Sequence, residues 1–395
     1  MKRVFTLLVL CACVFLGACG STSNNNTSSS NSNSPAPGGN GGSSGSGSGG
    51  GGSSSGSGSG SSGGTTGGGS SATAAIAYVA GSNNDFDGVR VDGSGNASST
   101  SGSPYALGGP VQDMAISGGL LYVDWSVPNT GGYQLSAFKA DGNGALISLS
   151  SMKVDGPTIG FDPSGASLYV GEGPGIAEYK VDRSSGALTP LPGSPFSNPA
   201  PGGMAFPVVS PNGSHLCARF NGPRAVEAIH CFVRHADGSL DSSGKTIPMS
   251  SQSGIGFPFL GITSDNTYVV ASDGSQVEIN PIASNDATAP KRVSSGGQNT
   301  MGIAISGPWV AVANHDSNTV SIFAVNSAGQ MTLTETPVNT AGPPNRLAFS
   351  QNGIYLFVSS DAGMSAFQFD PTTGSLSPLN GGKSLPGSSR AVTAQ

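Results

Sequence analysis

Short runs of alternating apolar and polar residues, separated by polar turns, fill the chain from about residue 73 to its end. Residues 159–191 and 347–379 share one order: an alternating strand, a turn with Gly, a Tyr/Val-rich strand, a polar turn, another strand, an Asp/Ser/Gly turn and a Leu-containing strand. Alternation with a period of two, bounded by Gly, Asn, Asp and Ser, predicts β-strands. No segment has a convincing amphipathic helical pattern. The pattern therefore predicts an all-β domain over residues 73–395.

The same four-strand order recurs along this domain. Repeated four-stranded units of about 40–50 residues are typical of a β-propeller. Residues 75–81 read as a second strand with no first strand before them, and residues 388–395 read as a first strand with no second strand after them. Pairing these two segments would close the ring and remove the free sheet edges, so the sequence predicts seven four-stranded blades. The six continuous units start near Met114, Ile159, Met204, Leu260, Met301 and Leu347.

The first 19 residues have the order of an export signal. Met1-Lys2-Arg3 is a short positive start, the next twelve residues are almost all apolar, and Leu16-Gly17-Ala18-Cys19 follows. The apolar run is shorter than the roughly 20 residues of a spanning helix, and its flanks are those of a signal peptide. The tetrad resembles the lipobox of bacterial lipoproteins, which implies a signal over residues 1–18 and a lipid on Cys19; the alternative is an ordinary signal with a chance cysteine. Gly20 after the cysteine favours the outer membrane of the cell envelope.

Residues 19–72 then form a predicted linker. They are nearly all Gly, Ser, Asn and Thr, and such a composition buries too little apolar surface to offset the entropy of ordering. Loss of Lys2 and Arg3 with the signal removes two positive charges and takes the formal net charge from −6 to −8. An acidic chain without a Lys/Arg cluster is not expected to bind nucleic acid. The segment is predicted to be a flexible tether between the lipid and the propeller.

Three stretches carry a family resemblance: residues 168–191, 310–331 and 342–353, the last reading GPPNRLAFSQNG. They look like repeats of the lactonase-like seven-bladed propellers, the group of 6-phosphogluconolactonase and the YVTN-repeat proteins. The resemblance implies a Glu after a Tyr-Val strand as a catalytic candidate, and Glu172 matches that place. It also implies a nearby His after an Arg, just before a first strand. Here Arg346 stands in the His position and Asn345 precedes it.

The start of each first strand places further candidates around one mouth of the ring. Arg346, Arg390 and Asp113 come from consecutive blades, and two guanidiniums beside one carboxylate would grip an anionic ligand; the alternative is an internal ion-pair network that plugs the channel. Thr158 and Thr300 take the same place in other blades. The loops after second strands add Trp125, for stacking on a sugar or a protein or as a packed anchor, and His315, a turn residue or a catalyst.

The cysteines and histidines suggest structure more than chemistry. Cys217 and Cys231 are equidistant from Arg224 in a predicted hairpin turn, so they are expected to lie opposite each other and to form a disulfide in an oxidising compartment; the alternative is two buried free thiols. No His/Cys spacing fits zinc, and Asp85-Phe86-Asp87-Gly88 is an incomplete calcium pattern. No metal and no cofactor is therefore predicted.

Two functions remain open at this stage. The first hypothesis is a membrane-anchored, non-catalytic binding or scaffold propeller with an unknown small-molecule, sugar or protein ligand at the channel mouth, since a fold does not fix a function. The alternative is a lactone hydrolase, a carboxylic-ester hydrolase that would act on an extracytoplasmic sugar or acyl lactone with Glu172 as base. A carbohydrate-binding module is a further possibility.

Overall fold

The computed structural model describes residues 73–173, 175–197, 204–221, 228–249, 259–283, 290–388 and 390–395. The predictions for the signal, Cys19 and the tether concern residues outside these ranges. None of the helices within the described ranges has the length and apolar character that a membrane crossing needs.

The described residues form seven antiparallel sheets, arranged as the blades of a propeller. Blade 1 begins with β1 (Thr73–Ala80), β2 (Asp85–Asp92), β3 (Ala97–Ser99) and β4 (Tyr105–Ala106). Blade 2 contains β5 (Val111–Ser117), β6 (Leu120–Ser126), β7 (Tyr133–Ala140) and β8 (Leu146–Val154). Blade 3 contains β9 (Thr158–Phe161), β10 (Ser167–Glu172), β11 (Gly175–Val181), β12 (Leu188–Pro190) and β13 (Phe196–Ser197).

The next four blades follow in chain order. Blade 4 contains β14 (Met204–Val209), β15 (His215–Asn221), β16 (Ala228–Arg234) and β17 (Leu240–Pro248). Blade 5 contains β18 (Leu260–Ile262), β19 (Tyr268–Asp273), β20 (Gln276–Pro281) and β21 (Lys291–Ser294). Blade 6 contains β22 (Thr300–Ser306), β23 (Trp309–Asn314), β24 (Thr319–Val325), β25 (Met331–Leu333) and β26 (Val338–Asn339). Blade 7 contains β27 (Pro344–Phe349), β28 (Tyr355–Ser360), β29 (Gly363–Phe369) and β30 (Leu376–Pro378). Two 3-10 turns span His315–Ser317 and Asn380–Gly382.

The last strand closes the ring. β31 (Val392–Ala394) pairs antiparallel with β1, with Tyr78 opposite Thr393, and so supplies the innermost strand of blade 1. The predicted pairing of the two chain ends is confirmed, as is the seven-bladed all-β fold. Because closure pairs the strand edges at the junction, the ring needs no separate cap there.

Blades 1 and 3 depart from the simple four-strand pattern in the same way. Their outermost strand is interrupted at Gly-Ser-Pro, residues 102–104 and 193–195, and a second short segment pairs further along the third strand. Proline has no N–H to donate to a strand ladder, so the outer strand breaks there and resumes. Blade 6 has a comparable extra segment, β26.

The core is divided into seven apolar clusters within the described ranges, one at each interface between neighbouring blades. The second strand of each blade is buried on both faces, which is why segments such as β10 and β28 are buried along their whole length. Tyrosines on these strands also link the blades. The hydroxyls of Tyr78, Tyr122 and Tyr169 each donate to the carbonyl of a turn glycine in the next blade, over 2.9 Å.

A disulfide joins β15 and β16 in blade 4. Cys217 and Cys231 are register partners on these strands, their Cα atoms are 3.9 Å apart, and both are buried. The bond therefore clamps the two central strands of one blade.

Candidate functional site

The central channel contains a cavity of about 180 Å³ at the face where the first strands begin. Every blade contributes at least one residue to its wall, because the innermost strands converge on the axis. The wall is formed by Asp113, Met114, Thr158, Ile159, Phe206, Pro207, Val208, Phe259, Leu260, Gly302, Ile303, Arg346, Leu347 and Val392. Among these described residues, Asp113 and Arg346 are the ionisable ones. The cavity is therefore a small space with one carboxyl and one guanidinium in its wall.

Arg346 reaches across the channel mouth. It lies on β27 of blade 7, and its guanidinium carbon stands 3.5 Å from the centroid of the Phe259 ring at blade 5. Gly302, on the blade between them, allows this close packing, since a Cβ there would lie 2.5 Å from the Asn345 carbonyl oxygen. A guanidinium over an aromatic face is held by the negative charge density of the ring. Burial lowers the pKa of Arg346, and the Asp113 charge opposes that shift. An arginine side chain keeps its proton in proteins.

Asp113 is the carboxylate partner of Arg346. Its Oδ1 lies 3.6 Å from Nη1 of Arg346 and accepts the N–H of Met114, while its Oδ2 accepts the N–H of Ile159 over 3.0 Å. These backbone donors fix the carboxyl between blades 2 and 3. Burial raises the pKa of Asp113, against the lowering influence of Arg346 and of the two N–H donors.

A second carboxyl stands directly beside the first. Asp124 on β6 is the register partner of Asp113 on β5, so both side chains lie on the same face of blade 2. Asp124 is fully buried, and within the described structure neither of its carboxyl oxygens has a hydrogen-bond partner. Burial, with a further contribution from the Asp113 charge, raises the pKa of Asp124 to about 9. The Asp124 carboxyl is therefore neutral at pH 7.

Sequence reasoning missed Asp124, although a signal was present. The corresponding position beside a first-strand residue is small in several other blades: Gly171 is opposite Thr158, and Ser359 is opposite Arg346. Blade 6 has Asn314 opposite Thr300, so an ionisable aspartate in this buried place marks a group that is held there at a cost in stability. That pattern can be read from the repeats once the register is known.

Opposite the carboxyls, the wall is aromatic. The rings of Phe206 and Phe259 meet edge to face, with centroids 5.9 Å apart, and Pro207 extends the same surface. The cavity is thus apolar on blades 4 and 5 and charged on blades 7 and 2. This asymmetry suits a small molecule with one anionic end and one apolar side.

Three other residues expected at the mouth take different roles. Thr158 lines the cavity and donates its hydroxyl to the carbonyl oxygen of Ala205 over 2.5 Å, bridging blades 3 and 4. Thr300 does not line the cavity, and its hydroxyl donates to the carbonyl oxygen of Gly274. Arg390 has an exposed side chain, while its carbonyl oxygen accepts Nε of Arg346 over 3.3 Å. One guanidinium, not two, therefore stands beside Asp113 in the described structure.

Glu172 lies apart from the cavity wall. It ends β10 and is buried near Asp155, in the loop that leads into β9. Burial raises its pKa, the nearby Asp155 charge adds to this, and the backbone N–H of Asp155 opposes it. The structure therefore brings together Asp113, Arg346 and Thr158, and leaves Glu172 outside that group.

The two remaining loop candidates are held by local contacts. Trp125 donates its indole N–H to the Ser136 hydroxyl over 3.0 Å and is half-buried, as expected of a packed anchor. His315 pairs with Asp316 over 2.7 Å in a 3-10 turn at the surface. Within the described ranges, no group of three or more His, Cys, Asp or Glu residues is arranged to hold a metal ion.

Comparison with known proteins shows what this fold resembles. The family model described as "Lactonase, 7-bladed beta-propeller" matches residues 264–392, which run from blade 5 to the closing strand. The chain is a seven-bladed β-propeller, and from blade 5 to its closing strand it is similar to the lactonase family. The match to the family model covers about a third of the chain, and no curated protein matches the chain significantly.

Several solved structures share the whole ring of the lactonase-like propeller. A proposed 6-phosphogluconolactonase of Bacteroides fragilis is 20% identical with a TM-score of 0.64, covering 81% of this chain and 98% of that one. A protein of Lactobacillus plantarum is 17% identical with a TM-score of 0.64, covering 81% and 99%. The periplasmic gluconolactonase of Pseudomonas aeruginosa is 19% identical with a TM-score of 0.61, covering 80% and 97%. At these identities the likeness establishes the fold.

Proposed function

We propose that this lactonase-like propeller is a binding protein of the bacterial cell envelope that takes a small anionic ligand at its channel mouth and does not turn it over. It is attached to the membrane by a lipid on Cys19. The ligand contacts the guanidinium of Arg346 and the aromatic wall of Phe206 and Phe259.

The position of Arg346 carries this proposal. A partly buried guanidinium that stacks on Phe259 and has one carboxylate beside it is a preorganised anion site, since little side-chain freedom remains to be lost on binding. The guanidinium also has five N–H donors, and the described contacts use only part of this capacity. A carboxylate or similar group in the cavity would accept the remaining donors.

The position of the base that the family resemblance implies favours binding over hydrolysis at this cavity. Glu172, the base expected from the family resemblance, is absent from the cavity wall, and none of the four histidines of the chain is among the lining residues. General-base catalysis needs the base within hydrogen-bond reach of the attacking water, directly or through one further water.

Binding is tested by calorimetry with acetate, lactate and benzoate on the purified protein and on Arg346→Gln. The proposal expects at least one anion to bind the wild type, and expects Arg346→Gln to weaken that binding by tenfold or more. An Arg90→Gln variant, changed at a solvent-side strand position, is the matched control. Anion binding that Arg346→Gln leaves unchanged would contradict the proposal.

Lipid attachment has its own test. Cells that express the protein are labelled with a radioactive fatty acid, and the label is expected on the wild type and absent from Cys19→Ser. Equal labelling of both proteins would remove the lipid anchor from the proposal.

Lactone hydrolysis is the second candidate function. The family-model match and the relatives described as gluconolactonases favour it. A pH-stat assay with sugar and acyl lactones measures the acid released, with Glu172→Gln as the control. Release that disappears in Glu172→Gln, without a change in melting temperature, would replace the binding proposal with this one.

A further inference from the structure

Asp113 and Asp124 form a carboxyl pair whose charge is set by the channel. Both are buried, they are register partners on β5 and β6, and only Asp113 has hydrogen-bond donors and a cation beside it. Two neighbouring carboxyls in a place of low polarity do not both ionise easily, so they titrate as a coupled pair. The Arg346 cation and the two backbone N–H donors favour the charged form of Asp113, whereas Asp124 has no such partner, so the negative charge of the pair falls on Asp113 and the proton on Asp124.

The charges around the cavity then balance. Arg346 supplies one positive charge and the carboxyl pair one negative charge, and the cavity wall has no other ionisable group among its described residues. Around the pair, β7 contributes Tyr133 and β6 contributes Tyr122, and burial raises the pKa of both phenols, so both stay neutral. β9 has no ionisable side chain. Near β31, Arg390 has its side chain in solvent.

An anion that enters the cavity disturbs this balance. It needs Arg346, but Asp113 already occupies one side of that guanidinium. Keeping both the ligand charge and the Asp113 charge would leave excess negative charge in a poorly solvated space, which is unfavourable. Protonation of Asp113 by one proton from solvent removes the excess and frees Arg346 for the ligand.

Resting on the proposed binding function, we propose that the channel takes up a small monocarboxylate together with one proton, and that Asp113 is the residue that accepts this proton. Asp124 remains in its neutral form and keeps a second negative charge out of the site. The charge balance sets the charge of the ligand. When one proton neutralises Asp113, the positive charge of Arg346 matches the single negative charge of a monoanion. A dianion such as a phosphate ester would leave one negative charge unmatched. The ligand is small because the cavity holds about 180 Å³, below the volume of sites for drug-sized molecules.

Calorimetry with benzoate tests the wild-type protein directly. The observed heat is measured at pH 7 in two buffers with different heats of ionisation, which gives the number of protons taken up. We expect close to one proton per benzoate, and an association constant that falls about tenfold per pH unit where the uptake is complete. Benzamide, the uncharged molecule of the same shape, should bind more weakly and with no pH dependence. Benzoate binding without proton uptake overturns this inference and leaves the binding function standing.

Variants then identify the acceptor. Asp113→Asn should bind benzoate at least tenfold more tightly than wild type at pH 7.5, and without proton uptake. In this variant no carboxylate competes with benzoate for Arg346. Asp124→Asn should retain the uptake, because Asn replaces a carboxyl that is already neutral. Uptake that persists in Asp113→Asn, or is lost in Asp124→Asn, overturns the assignment to Asp113.

If Asp113→Asn does not fold, the wild-type buffer experiment still decides whether a proton is taken up. Failure of acetate, lactate and benzoate all to bind the wild type would overturn both this inference and the binding function.

Discussion

The guanidinium of Arg346 and the ring of Phe259 come from blades 7 and 5, and they meet over the central channel at 3.5 Å. Blade 6 lies between them in chain order and contributes Gly302 and Ile303 to the cavity wall, and the absence of a side chain at Gly302 lets β27 pack closely against blade 6. The contact fixes the one cation of the cavity wall in place. The effect of this contact on ligand affinity, and the effect of neighbouring residues on stability, can be measured.

Phe259→Leu should weaken anion binding without unfolding the propeller. The substitution keeps an apolar side chain but removes the aromatic face, which contributes about 0.5–2 kcal/mol to holding a guanidinium. Benzoate affinity is then expected to fall roughly 2- to 30-fold by calorimetry. Phe349→Leu, at a ring that packs on Phe369 away from the cavity, is the control and should leave affinity unchanged. Equal affinities of wild type and Phe259→Leu would show that the stacking does not position Arg346.

Asp124→Asn should change how stability depends on pH. The pKa of Asp124 is raised to about 9 in the folded protein, above its unfolded value near 4. The folded state therefore binds the proton more tightly, and Asp124 lowers stability progressively as pH rises from about 4 to about 9. Asn does not titrate, so the stability of the variant relative to wild type should increase with pH, by at most about 1.4 kcal/mol per unit. Urea unfolding at pH 5, 6.5 and 8 measures this trend.

Asp182→Asn is the matched control for that experiment. Asp182 accepts hydrogen bonds from Ser184 and Ser185 in an exposed turn, and these bonds lower its pKa to about 2. Its contribution is present above the unfolded pKa and is lost only as pH falls below about 4. The stability difference between Asp182→Asn and wild type should therefore be constant from pH 5 to pH 8. A flat difference for Asp124→Asn as well would show that Asp124 does not hold a proton.

Tyr169→Phe should destabilise the interface between blades 3 and 4. The hydroxyl donates to the Gly238 carbonyl oxygen over 2.9 Å and accepts Nε of Arg234 over 2.5 Å. Its removal leaves two buried polar groups without that partner, at a cost of about 1–3 kcal/mol. Chemical unfolding measures the loss. Tyr268→Phe, whose hydroxyl makes a 3.4 Å contact at the surface, should cost less than about 0.5 kcal/mol.

Removal of the disulfide should lower stability by a larger amount. Cys217 and Cys231 are 14 residues apart, and closing a loop of about that length in the unfolded chain contributes roughly 3 kcal/mol. The double variant Cys217→Ser, Cys231→Ser should melt at a lower temperature than wild type in calorimetry. A reductant should lower the wild-type value toward that of the variant and should not affect the variant. If the reductant breaks the disulfide of the wild type and its melting temperature does not change, this expectation is wrong.

Part of the site could be read from the chain alone. Arg346 and Asp113 were identified because the repeats place both at the start of a first strand, where strands converge on the axis. Arg390 has the same sequence position, yet its side chain lies in solvent. The direction of a long side chain at a strand end depends on contacts with other blades, which the repeat pattern does not contain. Glu172 was named from the family resemblance, and its distance from the cavity wall follows from its place at the end of the second strand.

The sequence by itself determined the architecture. Its period-two alternation predicts the strands and the recurrence of four-strand units predicts the blades, because both depend on the local pattern. The unmatched segments at 75–81 and 388–395 predict the closure of the ring, because free strand edges pair. The hairpin midpoint likewise placed Cys217 opposite Cys231. The tertiary structure alone decided the chemistry of the channel. The stacking of Arg346 on Phe259 joins residues from distant parts of the chain. Burial raises the pKa of Asp124, a carboxyl that looks ordinary in the sequence.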